Sequence, residues 1–149
     1  LINLKKSTND HIKYLVFHLR DADRAELKAL GIKSPSKEFK RAITQGPTYT
    51  ACLHDKPMAI FGTVPIQEGF GSIWMLGTDD IMKHPMKVLR LSKEVLRGLM
   101  EPYEMVGNMV FSENEVHVKW IKWLGFTFIR ETIYGPDGNL FYEFAKIKD

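Results

Sequence analysis

The sequence predicts a single mixed α/β domain over residues 1–149, and three observations carry that prediction. Segments of two-residue alternation interleave with segments of helical apolar periodicity. Gly, Pro, Asn or Asp stands at nearly every junction between them. The composition, 44% hydrophobic and 26% charged, lies close to globular averages, so little disorder is expected.

Each element follows from local chemistry. Residues 2–5 form a short first strand. Ser7-Thr8-Asn9-Asp10 supplies N-cap residues for a helix carrying Ile12, Leu15, Val16 and Leu19 on one face. Asp21 or Asp23 restarts that helix through Ala25, Leu27 and Leu30, and Gly31 suits its C′ position. Ser34-Pro35-Ser36 caps a helix over 37–44 with Phe39, Ala42 and Ile43 inward, and Gly46-Pro47 stops it. Residues 49–53 and 58–64 read as strands joined by His54-Asp55-Lys56-Pro57. The near-continuous apolar run 72–76 reads as a central strand buried on both faces. Pro85 suits the first turn of a helix running to about Met100, ahead of Pro102. A strand over 105–111, a helix closed by Gly125, and a hairpin of 126–133 with 139–145 around Gly135-Pro136-Asp137-Gly138 complete the chain. The expected order is β, α, α, β, β, β, α, β, α, β, β.

Composition also excludes function classes. With 21 basic and 18 acidic side chains the formal charge is only +3, which argues against a dedicated nucleic-acid binder. Lys87, Arg90, Lys93 and Arg97 share one side of the 85–100 helix and read as its solvated face, with Glu94 diluting the charge. The five histidines show no metal-ligand spacing, so no metal site is expected. Cys52 is the only cysteine and reads as a buried small residue. No apolar run approaches the ~20 residues that span a bilayer, and residues 1–11 carry no signal-peptide h-region.

The stretch NEVHVKWIKWLGF, residues 114–126, is the most distinctive. Wound on a helix, it gathers Val116, Val118, Trp120, Ile121, Trp123 and Leu124 on one broad arc opposite Glu115, Lys119 and Lys122. His117 falls inside the apolar arc, where a hydrogen-bonded histidine at the core edge is expected. Asn114 is followed by His117, Ile121, Gly125 and Phe126, an Asn-to-Gly spacing of eleven. With the element order, that spacing resembles the GNAT family of N-acetyltransferases.

A narrower resemblance rests on four stretches in collinear order. They are His18-Leu19-Arg20-Asp21-Ala22-Asp23-Arg24-Ala25-Glu26-Leu27, Pro57-Met58-Ala59-Ile60-Phe61-Gly62, Trp74-Met75-Leu76-Gly77-Thr78-Asp79-Asp80, and Tyr103 with Asn108, Asn114, His117 and Trp120 through Gly125. Together they resemble the small GNAT-like bacteriophage proteins grouped with the internal virion protein of short-tailed phages.

The resemblance implies a GNAT-like acyl-CoA N-acyltransferase fold. That is a mostly antiparallel mixed sheet of six to seven strands flanked by about four helices. It further implies a phage accessory, internal virion or morphogenesis protein that requires no cofactor. Its partners would be other phage or host proteins, and its place the host cytoplasm during infection or the virion. The alternative is an active acetyl-CoA-dependent N-acetyltransferase acting on a host protein or a small amine.

That alternative needs a phosphate cradle, a base and a proton donor. The expected cofactor contacts are Leu76, Gly77, Thr78, Lys83, His84 and Asn114. The loop carries no late glycine, however, and Pro85 lacks an N–H. Asp79 or Asp80, if ~6 Å from a phosphate charge, would oppose it by roughly 3 kcal/mol before screening. Ile121 occupies the spacing where the family places a proton-donating Tyr, leaving Tyr103 or Tyr134 to serve from another element. Asp79, Asp80, Glu104 and Glu113 are the candidate bases. From these bases and the two tyrosines, Asp79, Glu113 and Tyr103 are the candidate catalytic residues. The deficits together imply a degenerate acetyl-CoA site.

Overall fold

The computed structural model describes residues 1–149. In chain order the elements are β1 (Ile2–Lys6), α1 (Asn9–Phe17), α2 (Asp21–Ala29), α3 (Pro35–Ala42), β2 (Thr48–Leu53), β3 (Lys56–Gln67) and β4 (Phe70–Gly77). A short 3-10 helix (Asp79–Met82) leads into α4 (Pro85–Met100), then β5 (Met105–Phe111), α5 (Glu115–Trp123), β6 (Thr127–Tyr134) and β7 (Asn139–Ile147). The seven strands form one sheet in the order β1-β2-β3-β4-β5-β7-β6. Only the β4–β5 pair is parallel.

The alternation of β3 sorts the core into two layers. Ile60 joins Leu76 beneath Ile12, Leu15 and Phe39 of α1 and α3. Phe61 points to the opposite face, among Val88, Val95 and Leu99 of α4 and Trp120 of α5. Fully burying one such Leu, Ile or Phe contributes about 1.5–3 kcal/mol, against ~0–1 for an exposed ion pair. Apolar layering therefore holds the helices to the sheet, and the surface charges do not.

Four sequence expectations need correction. Three helices, not two, precede β2, because the restart at Asp21 is a separate element. β3 runs on to Gln67, since its pairing with β4 continues to Gln67↔Phe70. Trp123 lies outside the core: it is 40% exposed, with Lys93 Nζ 4.2 Å from its ring centroid. Finally, β4 is not buried on both faces, for Ser72 through Met75 are only half-buried.

The reason for the last correction positions everything that follows. β4 pairs with β5 only at Phe70↔Met105, Gly71↔Val106 and Ser72↔Gly107. β5 pairs with β7 along its whole length, from Met105↔Ile147 to Phe111↔Phe141. Held by β7, β5 leaves β4 after three residues and the sheet opens into a fork.

Candidate functional site

Asn108 closes the base of the fork. Its Nδ2 donates to the Ile73 carbonyl at 2.7 Å, and its Oδ1 accepts from Met109 N at 2.7 Å. At the other end of β4, Gly77 N donates to Asp23 Oδ2 at 2.9 Å, and the Gly77 carbonyl accepts from Arg20 N at 3.0 Å. These bonds show that Ile73 and Gly77 turn their main-chain groups toward the gap. By the two-residue alternation of a strand, Met75 between them presents its N–H and C=O there too. β5 makes no ladder bond to Met75.

A buried polar cluster flanks the gap. Asp23 and Glu26 lie three residues apart on α2 and so share its inner face. Asp23 Oδ1 accepts from Arg20 Nη1 at 3.0 Å and from Asn114 Nδ2 at 3.1 Å. Asn114 occupies the N-cap position of α5 without capping it; its side chain reaches back to α2 instead. Its Nδ2 also donates to Glu26 Oε1 at 3.1 Å, and Phe111 N donates to the same oxygen at 3.3 Å. Glu26 Oε2 takes no hydrogen bond. Burial pushes the Glu26 carboxyl above the usual range, with nearby Asp23 adding to the rise; His117 and the Asn114 and Phe111 N–H donors oppose it in part.

His117 is buried as the sequence suggests, but not hydrogen-bonded as expected. Its Nε2 stands 3.2 Å from Asp23 Oδ1, close enough for an ion pair, yet the angle gives it no hydrogen bond. Arg20 and Asn114 already hold that oxygen from their own directions. Asn114 Oδ1 likewise has no partner.

A cavity of about 480 Å³ passes through the fork and is lined mainly by apolar side chains. Glu26 and His117 are among the few ionisable groups on its wall. Ile121 forms part of that wall and has no proton to give. Trp74 Nε1 and Trp120 Nε1, from residues on opposite faces of the sheet, are buried without a hydrogen-bond partner, and both residues line the cavity.

The sequence-predicted residues divide between places. Leu76 lines the cavity, and Asn114 stands behind Glu26. Gly77 and Thr78 are buried at the end of β4, where Thr78 Oγ1 donates to the Met58 carbonyl at 3.2 Å and accepts from Asp80 N at 3.3 Å. Lys83 is exposed and paired with Asp80 at 3.1 Å. His84 precedes Pro85 at the start of α4 without a side-chain cap bond. Asp79, Glu104 and Glu113 are exposed and outside the cavity wall. Tyr103 is buried on Gly71, where an added Cβ would lie 2.7 Å from its ring, also outside the cavity. Tyr134 is 46% exposed and does line the cavity. Asp23 and Glu26, which carry the cluster, enter the sequence reading only within the 18–27 stretch and, for Asp23, as a helix-start residue. Their spacing of three on a helix that needed its inner face for packing was the available signal.

No family model and no curated protein matches the sequence. Solved structures do match the fold along its length. An aminoglycoside N(6')-acetyltransferase from Legionella pneumophila superposes with a TM-score of 0.75 at 15% identity, covering 98% of this chain and 91% of that one. An acetyltransferase of the GNAT family from Streptococcus pneumoniae gives 0.72 at 14% identity, covering 100% of both chains. A spermidine N-acetyltransferase chimera from Vibrio cholerae gives 0.73 at 8% identity, covering 99% and 95%. These likenesses lend no support to the narrower phage resemblance. At such low identity they establish architecture: the chain has the GNAT acetyltransferase fold.

Proposed function

We propose that this chain is an acyl-CoA-dependent N-acyltransferase in which Glu26 is the general base. One observation carries the reading: a desolvated carboxylate, with one oxygen pinned and the other free, on the wall of a cavity set in the β4–β5 fork.

The residues present fit most of acetyl-CoA. The open edge of β4 at Met75 suits an extended chain of amides, which docks on a strand edge through main-chain bonds. The fit is weaker at the diphosphate. Pro85 gives no N–H, which leaves the Met86 and Lys87 amides, with Lys87, His84 and no acid in the first turn of α4. When bound, acetyl-CoA supplies a thioester carbonyl that an amine attacks, the C–N bond forming as the C–S bond breaks.

The chain's own groups handle the proton and the geometry. Glu26 Oε2 takes the amine proton, and a raised pKa brings the carboxylate nearer in basicity to its task. Asn114 Nδ2 and Phe111 N–H fix Oε1 and so aim Oε2. Tyr134 is the tyrosine on the cavity wall, and we assign it the proton donated to the departing thiolate.

The test is transfer itself: free thiol release from acetyl-CoA in the presence of primary amines and lysine peptides, with acetylated product weighed by mass spectrometry. Glu26→Gln is expected to lower the rate by about 10²-fold or more. Absence of both thiol release and product with every amine would overturn the reading.

A second reading keeps the fold as a scaffold in a phage accessory or virion protein. It is favoured by the tying of Lys83 to Asp80 and by the missing N–H of Pro85, both of which weaken the diphosphate site. Recovery of the protein in purified virions, together with indifference to acetyl-CoA, is its expected signature.

A further inference from the structure

The walls of the cavity on the α2–α3 side differ in character from its base. Leu30, Ile32, Phe39, Val64 and Trp74 form an apolar surface. Trp74 is tilted against Phe39 at 4.9 Å between ring centroids. Gly62 makes room for the indole, since a Cβ there would lie 2.5 Å from it. The result is an angled aromatic wall, its two rings inclined by 45°, built into the sheet and not a side chain lying loose over it.

Charge on this side is sparse. Glu38 and Arg41 stand at the rim, each more than half exposed and 3.9 Å apart, so they offset one another. Asp23 is 2% exposed and committed to Arg20, Gly77 and Asn114. His117 faces Asp23 from α5. That leaves Glu26 as the one carboxylate on this wall held in no ion pair, with its Oε2 free of hydrogen bonds.

We propose that this side of the cavity is the acceptor site, and that it takes a primary monoamine bearing an aromatic body while excluding polyamines. The inference rests on the acyltransferase reading for what happens to the amine, but the binding argument stands on the walls alone. One ammonium pairs with Glu26, and the ring attached to it covers the wall at Phe39 and Trp74. A second ammonium would be desolvated with no carboxylate to meet it, which costs more than apolar contact returns.

Tyramine, a primary monoamine carrying one aromatic ring, is the probe, and spermidine the control. Binding is measured by calorimetry without acetyl-CoA, and transfer separately with it. Saturable tyramine binding at least tenfold tighter than spermidine is the expected result. Equal or tighter spermidine binding, or no tyramine binding, overturns the proposal. If tyramine binds but is not acetylated, the acceptor site stands and the acyltransferase reading falls. If spermidine alone is acetylated, the reverse holds. Ile66→Glu locates the site, because Ile66 lines the cavity and is 59% exposed, so the fold tolerates the change. The added carboxylate should shift preference toward spermidine by about fivefold, of the order expected for a surface charge near a bound cation. An unchanged ratio would place tyramine elsewhere and sink the assignment.

Discussion

Glu26 and Asp23 are one helical turn apart and play opposite parts. Asp23 is a structural anion: it neutralises buried Arg20 and terminates β4 by accepting from Gly77 N. Asp23→Ala would leave Arg20, whose side chain is 8% exposed, without its counter-charge. Loss of one partner of a buried pair costs about 3–5 kcal/mol, a drop that urea unfolding would register directly. Glu26 is strained by burial in its charged form. Because its folded pKa lies above the unfolded value, stability falls as pH rises through that window. Glu26→Gln keeps an acceptor for Asn114 and Phe111 and removes the charge. It should raise the melting temperature at pH 7 and do little near pH 4, where Glu26 is already protonated. A lower melting temperature at pH 7 would contradict the assignment of a desolvated charge. The same substitution should erase the acidic limb of the transfer rate, which in the wild type begins above the ordinary carboxylate range. Cys52, by contrast, sits 1% exposed in β2 with its thiol pKa pushed up by burial, as an inert packing residue should.

At the scale of elements, caps and turns set where the chain reverses. α1 begins with a reciprocal cap: Thr8 Oγ1 accepts from His11 N at 3.2 Å, and His11 Nδ1 accepts from Thr8 N at 3.2 Å. Nδ1 accepts only when the ring is neutral, and burial, then Lys5, lower the His11 pKa accordingly. A depressed folded pKa means that this stability is complete above the unfolded value of 6.5 and is lost as pH falls through the window below it. His11→Gln retains the box without the titration. It should match the wild type at pH 8 and exceed it by about 0.5–1 kcal/mol at pH 5, read from denaturant midpoints. The β2–β3 turn is a different case. His54 and Asp55 have φ of 49° and 65°, the paired left-handed residues of a tight hairpin, where neither is the preferred glycine. Asp55→Gly should relieve that strain and stabilise by roughly 0.5–1 kcal/mol, since the exposed Lys5–Asp55 pair it removes is worth less. These signals, including Pro85, Gly31 and Gly125, are local, and they were legible in the sequence to within a few residues.

For the molecule as a whole, the fork is the decisive feature. It exists because β5 gives one full edge to β7 and only three residues to β4. Acetyl-CoA bridging the open edge of β4 and the start of α4 should stabilise the entire fold. At 100 times its Kd it adds about 2.7 kcal/mol, a clear rise in melting temperature that adenosine at the same concentration should not produce. The chain also has no helix long and apolar enough to cross a membrane.

By itself the sequence determined the order of the strands and, apart from the split at Asp21, of the helices, together with the helix that begins after Asn114 and the resemblance to the GNAT fold, because periodicity, caps and the Asn-to-Gly spacing are written in neighbouring residues. It also showed that Ile121 cannot donate a proton. Only the tertiary structure decided that β4 lies half open, that Lys83 is tied to Asp80, and that Asn114 turns back to α2. The site's carboxylate was equally hidden: Glu26 is 88 residues from Asn114 and 85 from Phe111, and no local pattern records that they meet. Burial sets the charge of such a group, and burial belongs to the packed whole. Loop-end composition therefore points to Asp79 and Glu113, while packing puts the desolvated carboxylate on a helix.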